Sequence, residues 1–361
     1  MSRFHPLVIK DVQRETDDAV SIAFDVPDTM NGAFDFVPGQ YLTVRASVDG
    51  TTMQRTYSIC SGLDDGELRI AVKRVRGGAF SNFANDNLAA GMALDVMPPL
   101  GRFTVMPGEE ASGNYVAFAA GSGVTPILSI VKTLLTREPD SVFTLFYGNR
   151  DRNSVIFREQ LEDLKDRFMQ RFTLVHVLSR EGQDVDLLHG RLDADRITRF
   201  AAAGLFDPQT ATRFFLCGPG DMIDTGRTAL ERLGVPSERI RFELFTTGRE
   251  GLDNVAPVSE EAQAAISRGA TIEAVLDGAV RAFQMREGDL NVVDAAHRQG
   301  IELPFSCKGG MCCTCRAKVK EGEVEMATNY SLEPWELEAG FVLTCQSRPL
   351  TDKVVLDYDA V

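Results

Sequence analysis

Pro304-Phe305-Ser306-Cys307-Lys308-Gly309-Gly310-Met311-Cys312-Cys313-Thr314-Cys315, completed by Cys345 in Leu343-Thr344-Cys345-Gln346, is the stretch around which the rest of this chain is organised. Cys307, Cys312, Cys315 and Cys345 form Cys-x4-Cys-x2-Cys with a distant fourth cysteine, the ligand spacing of a [2Fe-2S] cluster. Three thiolates must converge on a small cluster from one tight loop. Gly309 and Gly310 are expected to take positive φ and bring backbone amides close to the sulfurs. Structural zinc would want two short cysteine pairs, or histidines at ligand spacing. Neither is present, and His297 stands alone on an expected helix. Four buried core thiols would have to reproduce these spacings and both glycines by coincidence. Cys313 would need x5 and x1 spacings to serve, so it is read as a non-ligand.

Outward from this loop, 361 residues suit two or three domains. With 44% hydrophobic and 25% charged residues the chain reads as soluble and globular. No apolar run approaches the roughly 18 residues that span a bilayer, and Met1-Ser2-Arg3-Phe4-His5-Pro6 starts no signal-peptide core, so a cytoplasmic, membrane-free protein is expected. Cys60, Cys217 and Cys313 are left over, which is no disulfide framework and fits a reducing compartment. A net charge of −14 argues against a nucleic-acid partner, which needs a basic face. Residues 269–361 hold nine Lys/Arg against fifteen Asp/Glu, a net −6 that suits steering of a basic partner or simply solubility.

The N-terminal third reads as short strands: 7–12, 19–26, 40–48, 54–59, 67–75 and 93–97. Alternation such as Val20, Ile22, Phe24 and Val26, broken by Pro38-Gly39, Asp49-Gly50 and Asp64-Asp65-Gly66, predicts a small antiparallel β-barrel. Gly77-Gly78-Ala79-Phe80-Ser81 then leads from a strand into a helix, where free backbone N–H groups suit a pyrophosphate. Without a ligand it would be a glycine turn with Ser81 as N-cap.

From about residue 113 strands alternate with helices, which implies a parallel sheet with nucleotide at the strand C-terminal ends. The strand 115–119 runs into Gly121-Ser122-Gly123-Val124-Thr125-Pro126, a Gly-x-Gly-x-x-Pro variant of the dinucleotide fingerprint, with Pro126 where a helix start tolerates a missing N–H. Cys217-Gly218-Pro219-Gly220 follows another strand, and Phe242-Glu243-Leu244-Phe245 ends the region. The second strand ends in Asn149-Arg150 and the third in Leu178-Ser179-Arg180. Dinucleotide sites specific for NAD usually place an acid there, so two arginines predict NADPH and its 2′-phosphate, although both could be solvated surface groups.

Residues 248–268 lose strong periodicity and gather Gly, Pro, Ser, Ala and Glu, so they are expected to be an interdomain linker. A hairpin with an Asp277-Gly278 turn and a helix over 291–299 precede the cysteine loop. The expected domains are 1–108 (β-barrel), 109–247 (NAD(P)-binding α/β), 248–268 (linker) and 269–361 ([2Fe-2S] domain); a family resemblance implies that the barrel binds FAD.

These motifs, in this order, resemble the ferredoxin-NADP reductase superfamily with a C-terminal plant-type ferredoxin domain of α+β β-grasp fold. The resemblance covers essentially the whole chain. It implies that Arg55-Thr56-Tyr57-Ser58 binds the flavin, with Tyr57 against the isoalloxazine, Arg55 on phosphate and Ser58 near the reactive nitrogen. It implies flavin contacts for Gly78 and Ser81, and dinucleotide contacts for Gly121, Gly123, Thr125, Pro126, Arg150, Ser179, Arg180 and Gly218. The Cys217 thiol would lie by the nicotinamide, Glu243 near the hydride path, and Phe245, where plastid-type members have Tyr, would cover the flavin. Ser58, Cys217 and Glu243 are therefore the expected catalytic set. Closer likeness in Ala327 to Glu333, Gly340 to Gln346 and His189-Gly190-Arg191 points to members that feed a separate di-iron oxygenase acting on an aromatic acyl-CoA. NAD(P)H gives two electrons as a hydride whereas a [2Fe-2S] cluster accepts one, so a flavin must stand between them. A non-catalytic iron-sulfur carrier would bind no flavin, and the paired flavin motifs argue against it. A reductase of another aromatic mono- or dioxygenase system stays open, although many of those carry the ferredoxin domain at the N-terminus or lack it.

Overall fold

The computed structural model describes residues 4–30, 32–108, 112–244 and 257–360, in two compact units, Phe4–Phe245 and Thr246–Val361. The first unit opens with strands β1 (His5–Thr16), β2 (Ala19–Asp25), β3 (Tyr41–Val48), β4 (Thr51–Ser58), β5 (Leu68–Lys73) and, after helix α1 (Ala79–Asn87), β6 (Ala93–Val96). Their order, β4-β3-β6-β1-β2-β5, is antiparallel throughout. A bridge from Ile59, just past β4, to Ile70 in β5 joins the two outer strands and closes the sheet into the expected barrel. Alternate residues such as Leu7, Ile9, Val20, Ile22, Phe24, Leu42, Val44, Ile70 and Val72 fill its interior, and Phe80 and Ala84 of α1 pack against them.

The same unit continues through β7 (Asn114–Ala120), α2 (Val124–Arg137), β8 (Val142–Asn149), α3 (Arg158–Arg167), β9 (Phe172–Leu178), α4 (Ala194–Ala202), β10 (Arg213–Gly218), α5 (Gly220–Arg232) and β11 (Ile240–Leu244). These strands are parallel in the order β11-β10-β7-β8-β9. Helices α2 and α3 pack over one face, against Ala117, Tyr147 and Phe215, and α4 and α5 over the other, against Phe118, Phe146 and Leu216. Burial on both faces accounts for the largely apolar sequences of the central strands β7, β8 and β10. The chain order reverses between β7 and β10, where a doubly wound sheet opens a ligand crevice at its strand C-termini.

In the second unit, α6 (Glu260–Ser267), β12 (Thr271–Leu276), β13 (Ala279–Gln284) and α7 (Val292–Arg298) precede the cysteine loop. Then come β14 (Arg316–Glu321), β15 (Val324–Met326), α8 (Pro334–Glu338), β16 (Phe341–Leu343), β17 (Ser347–Pro349) and β18 (Lys353–Asp357). A mixed sheet runs β13-β12-β18-β14-β16, with β15 and β17 paired apart from it. The hairpin turn holds Asp277 at φ 55° and Gly278 at φ 71°, the paired positive values that a type I′ turn requires. The expected linker is not irregular throughout. Residues 248–256 lie outside the described ones, but α6 occupies its last third, capped by Ser259, whose hydroxyl accepts the Ala262 N–H at 3.1 Å. Its inward face is Ala262, Ala265 and Ile266, and two alanines in three give too faint an apolar period to read from sequence. Among the described residues no helix is long and apolar enough to cross a membrane.

Candidate active site and iron-sulfur centre

Ser58 ends β4 of the barrel and Glu243 lies in β11 of the parallel sheet, 185 residues later, yet the Ser58 hydroxyl donates to Glu243 Oε2 at 3.0 Å. Cys217 stands in register beside Glu243 on one side and beside Ala119 of β7 on the other. The fold thus gathers all three expected catalytic residues where the sheet's strand order reverses. Burial pushes the Glu243 carboxyl up to about 8, with the Ser58 hydrogen bond opposing it. Burial, and secondarily Glu243, also hold the Cys217 thiol well above its ordinary value. Burial thus favours the uncharged forms of Glu243 and Cys217, beside the neutral Ser58 hydroxyl.

Around this trio the barrel presents the expected flavin motif. The Tyr57 ring lies 5.8 Å from that of Phe80 at an interplanar angle of 31°, and burial raises its hydroxyl pKa. Arg55 is exposed, and its guanidinium donates to the Gln54 carbonyl at 2.7 Å, leaving further donors for a phosphate. Gly78 is the N-cap of α1 and brings no side-chain cap to its first turn. Ser81 is not that cap. Its hydroxyl accepts the Val75 N–H at 3.0 Å and donates to the Gly78 carbonyl at 3.3 Å, which fastens the loop from within. The half-buried Tyr57 ring beside an uncapped helix start fits a flavin with its phosphates.

The dinucleotide crevice is shaped by a close approach. A Cβ on Gly123 would lie 2.1 Å from the Cys217 carbonyl oxygen, so only glycine lets the β7–α2 turn sit against β10. Thr125 donates to the Ser122 carbonyl at 2.6 Å, Pro126 is third in α2 where no N–H is needed, and Gly218 ends β10. Ser179 N–H donates to the Asn149 carbonyl at 2.9 Å and Arg180 N–H to that of Arg150 at 2.7 Å, which brings the two arginine-bearing strand ends together. Arg150 is paired with Asp18 at 3.2 Å. Arg180 is exposed and, among the described residues, has no ion pair. Phe245 lies outside the described residues.

Nothing in the sequence singles out Lys73, which lies within the expected strand 67–75. In the structure its Nζ lies 3.2 Å from where a Cβ on Gly121 would be, and burial, then Arg150, lower its pKa. No local signal reveals it, because the barrel strand and the glycine turn meet only in three dimensions.

In the second unit the four expected ligand cysteines come together as two pairs. Cys307 lies within side-chain hydrogen-bonding reach of Cys312 and Cys345 within reach of Cys315, and each pair lies close enough to act electrostatically on the other; Cys312 Sγ is also 3.3 Å from the Thr314 hydroxyl. Four thiols gathered from one loop and one distant turn, with the Cys307 and Gly309 N–H groups aimed at sulfurs, would hold a [2Fe-2S] cluster, which would carry one electron at a time. The neighbouring Cys312 side chain, with backbone N–H groups of Gly309, Met311 and Cys312, holds the Cys307 thiol below its ordinary value. Cys345 is lowered by Cys315 first, then by the Gln346 side chain and the Gly310 N–H. The residues fit a [2Fe-2S] cluster. The positive φ values fall at Lys308 (51°), Gly310 (74°) and Cys313 (55°), not at both glycines; Gly309 instead aims its N–H at Cys307 Sγ, 3.3 Å away. The Cys313 thiol donates to the Ser331 hydroxyl at 3.0 Å, apart from the two pairs.

Comparison with known proteins agrees with these features. Models of the oxidoreductase FAD-binding domain, the oxidoreductase NAD-binding domain and the 2Fe-2S iron-sulfur cluster binding domain match residues 6–105, 118–228 and 275–350. Fold and site define a flavin- and nicotinamide-dependent iron-sulfur oxidoreductase, an electron-transfer enzyme. The chain is 45% identical over 360 residues to a subunit of the 1,2-phenylacetyl-CoA epoxidase of Escherichia coli (strain K12), covering 100% of this chain and 99% of that one. It is 37% identical over 360 residues to the ferredoxin reductase component of 3-ketosteroid-9-alpha-monooxygenase from Rhodococcus rhodochrous, covering 99% and 97%. The chain belongs to this family of ferredoxin-NADP reductase-type flavoproteins with a C-terminal ferredoxin domain. The fold matches phthalate dioxygenase reductase with a TM-score of 0.60 over 98% of each chain, at 23% identity.

Proposed function

We propose that this chain takes a hydride from NADPH at the Ser58–Glu243–Cys217 site. It then delivers single electrons through Cys307, Cys312, Cys315 and Cys345 to a separate di-iron oxygenase, the phenylacetyl-CoA epoxidase, in the cytoplasm. The observation that carries the hydride step is the 3.0 Å hydrogen bond joining Ser58 of the barrel to Glu243 of the parallel sheet, beside Cys217. Bound FAD supplies the conversion from a two-electron donor to a one-electron acceptor, and the cluster carries the single electrons. Tyr57 packs on the flavin ring, Arg55 reaches its phosphate, and Thr56, Gly78 and Ser81 form the cradle. Gly121, Gly123, Thr125, Pro126 and Gly218 seat the nicotinamide dinucleotide. Arg180, assisted by Ser179 and Arg150, receives the 2′-phosphate, a role supported by its exposure. In this reading 1–108 hold the flavin, 109–247 the dinucleotide and 269–361 the cluster, with 248–268 between.

The partner assignment rests on the 45% identity to the epoxidase component, while the 37% identity to the 3-ketosteroid monooxygenase component keeps a second oxygenase class as the alternative. The net −6 of residues 269–361 favours a partner with a basic docking face, so transfer should slow as salt rises. Stopped-flow mixing of the NADPH-reduced holoprotein with the remaining components of the Escherichia coli epoxidase tests the assignment. Intact protein should reduce them, and a chain ending near Gly248 should not. Equal rates from the two would show that electrons do not leave through the cluster.

A further inference from the structure

We propose that Gln346 is a positioning residue that raises the reduction potential of the cluster by fastening the fourth ligand to the three-cysteine loop. The proposal rests on the assignment of Cys307, Cys312, Cys315 and Cys345 as ligands. Gln346 is 6% exposed, and its Nε2 lies 2.8 Å from the Lys308 carbonyl and 3.4 Å from Cys345 Sγ. Both neighbours are acceptors, so the NH2 end of the amide must face them, one N–H for each. Lys308 directly follows the ligand Cys307, and Cys345 arrives on a turn distant in sequence. One amide thus clasps the two parts of the ligand set. Its stem is hemmed in, since Gln346 Cγ lies 3.3 Å from where a Cβ on Gly310 would be. The backbone is held separately, with Gln346 N–H donating to the Leu343 carbonyl at 2.8 Å and the Ala327 N–H donating to the Gln346 carbonyl at 2.9 Å. The turn therefore does not depend on the side chain.

Reduction adds one electron to the cluster, and negative charge grows on the ligand sulfurs. An N–H aimed at one of them stabilises the reduced form more than the oxidised form, which raises the potential. Hydrogen bonds to charged acceptors are among the stronger ones, and in a buried site their loss is not made good by water.

The test compares wild-type holoprotein with Gln346→Met, which keeps an unbranched stem of similar length but has no N–H. Iron and sulfide content, the cluster midpoint potential from an EPR-monitored redox titration, and the flavin potential as internal reference are measured. Gln346→Met should keep its iron and leave the flavin potential unchanged. Its cluster potential should fall, so that electrons redistribute roughly tenfold toward the flavin, about 59 mV for a one-electron couple. A residue that only fills space would leave the potential at the wild-type value, and that result overturns the proposal. Should Gln346→Met assemble no cluster, Gln346→Asn decides, because its shorter amide reaches one acceptor at most. A smaller fall in the same direction supports the clasp, and an unchanged potential overturns it. Iron missing from the wild-type protein as well would overturn both the ligand assignment and this proposal.

Discussion

The cluster site and the hydride site are built in opposite ways. Three of the four cluster ligands fall within nine residues, Cys307 to Cys315, and the fourth follows at Cys345. Ser58, Cys217 and Glu243 come from two sheets, with 185 residues between the two that share a hydrogen bond. A metal cluster dictates thiolate spacing to a local loop, so its chemistry is written in the chain. A hydride path needs uncharged groups around a ring face, and any strand ends that the fold brings together can supply them. The first site should therefore fail abruptly when one ligand is lost, and the second should fail gradually.

The largest effect should come from serine at Cys307, Cys312, Cys315 or Cys345. Each should lose most of its iron while NADPH reduction of ferricyanide stays within about twofold of wild type, given that the flavin and dinucleotide residues belong to the other unit. Cys313→Ser should keep iron and both activities, because its thiol is directed to Ser331. Iron analysis with a dye-reduction assay checks both. If losing the cluster also stopped dye reduction, the two sites would not be separable.

Next in size is Glu243→Gln. Hydride transfer to the flavin, followed in a stopped-flow instrument, should slow by roughly 10²-fold if the carboxyl takes part in catalysis. The wild-type rate should also show a break near pH 8 that the variant lacks. The same group predicts the sign of a stability effect. Its carboxyl keeps its proton up to about 8 when folded but loses it near 4.5 when unfolded, so its contribution is fully present below 4.5 and is lost as pH rises toward 8. Thermal melts of wild type should fall more steeply over that window than those of Glu243→Gln.

Gly123→Ala sharpens the comparison from the packing side. Its methyl group would collide with the Cys217 carbonyl, so β7 and β10 must separate. Stability should drop by about 1–3 kcal/mol, with a higher KM for NADPH. Chemical denaturation and steady-state kinetics measure the two, while the EPR spectrum of the cluster should not change. The smallest effect should be that of Arg180→Ala, which should lower the NADPH-to-NADH ratio of kcat/KM by about tenfold, the loss of a charged hydrogen bond to phosphate. An unchanged ratio would remove Arg180 from the 2′-phosphate site.

Much of this architecture is legible in the chain because it depends on local rules. Period-2 alternation marks the barrel strands, largely apolar runs mark the central parallel ones, Asp277-Gly278 marks a hairpin, and the cysteine spacing marks the cluster. Short helix α6 is hidden because alanine leaves little apolar contrast. The distribution of positive φ over Lys308, Gly310 and Cys313 is not legible either, since it follows from how the loop aims groups such as the Gly309 N–H in three dimensions.

The sequence by itself determined the cofactor chemistry: four spaced cysteines, a glycine turn into a helix and a second glycine fingerprint each require only neighbours along the chain. Tertiary structure alone decided the electrostatics. Glu243 is an ordinary carboxylate until burial lifts it to about 8, Lys73 is a surface lysine until β5 meets Gly121, and Gln346 is a turn residue until Lys308 arrives beside it. Desolvation and hydrogen-bond partners belong to positions in space, and residues far apart in sequence supply them.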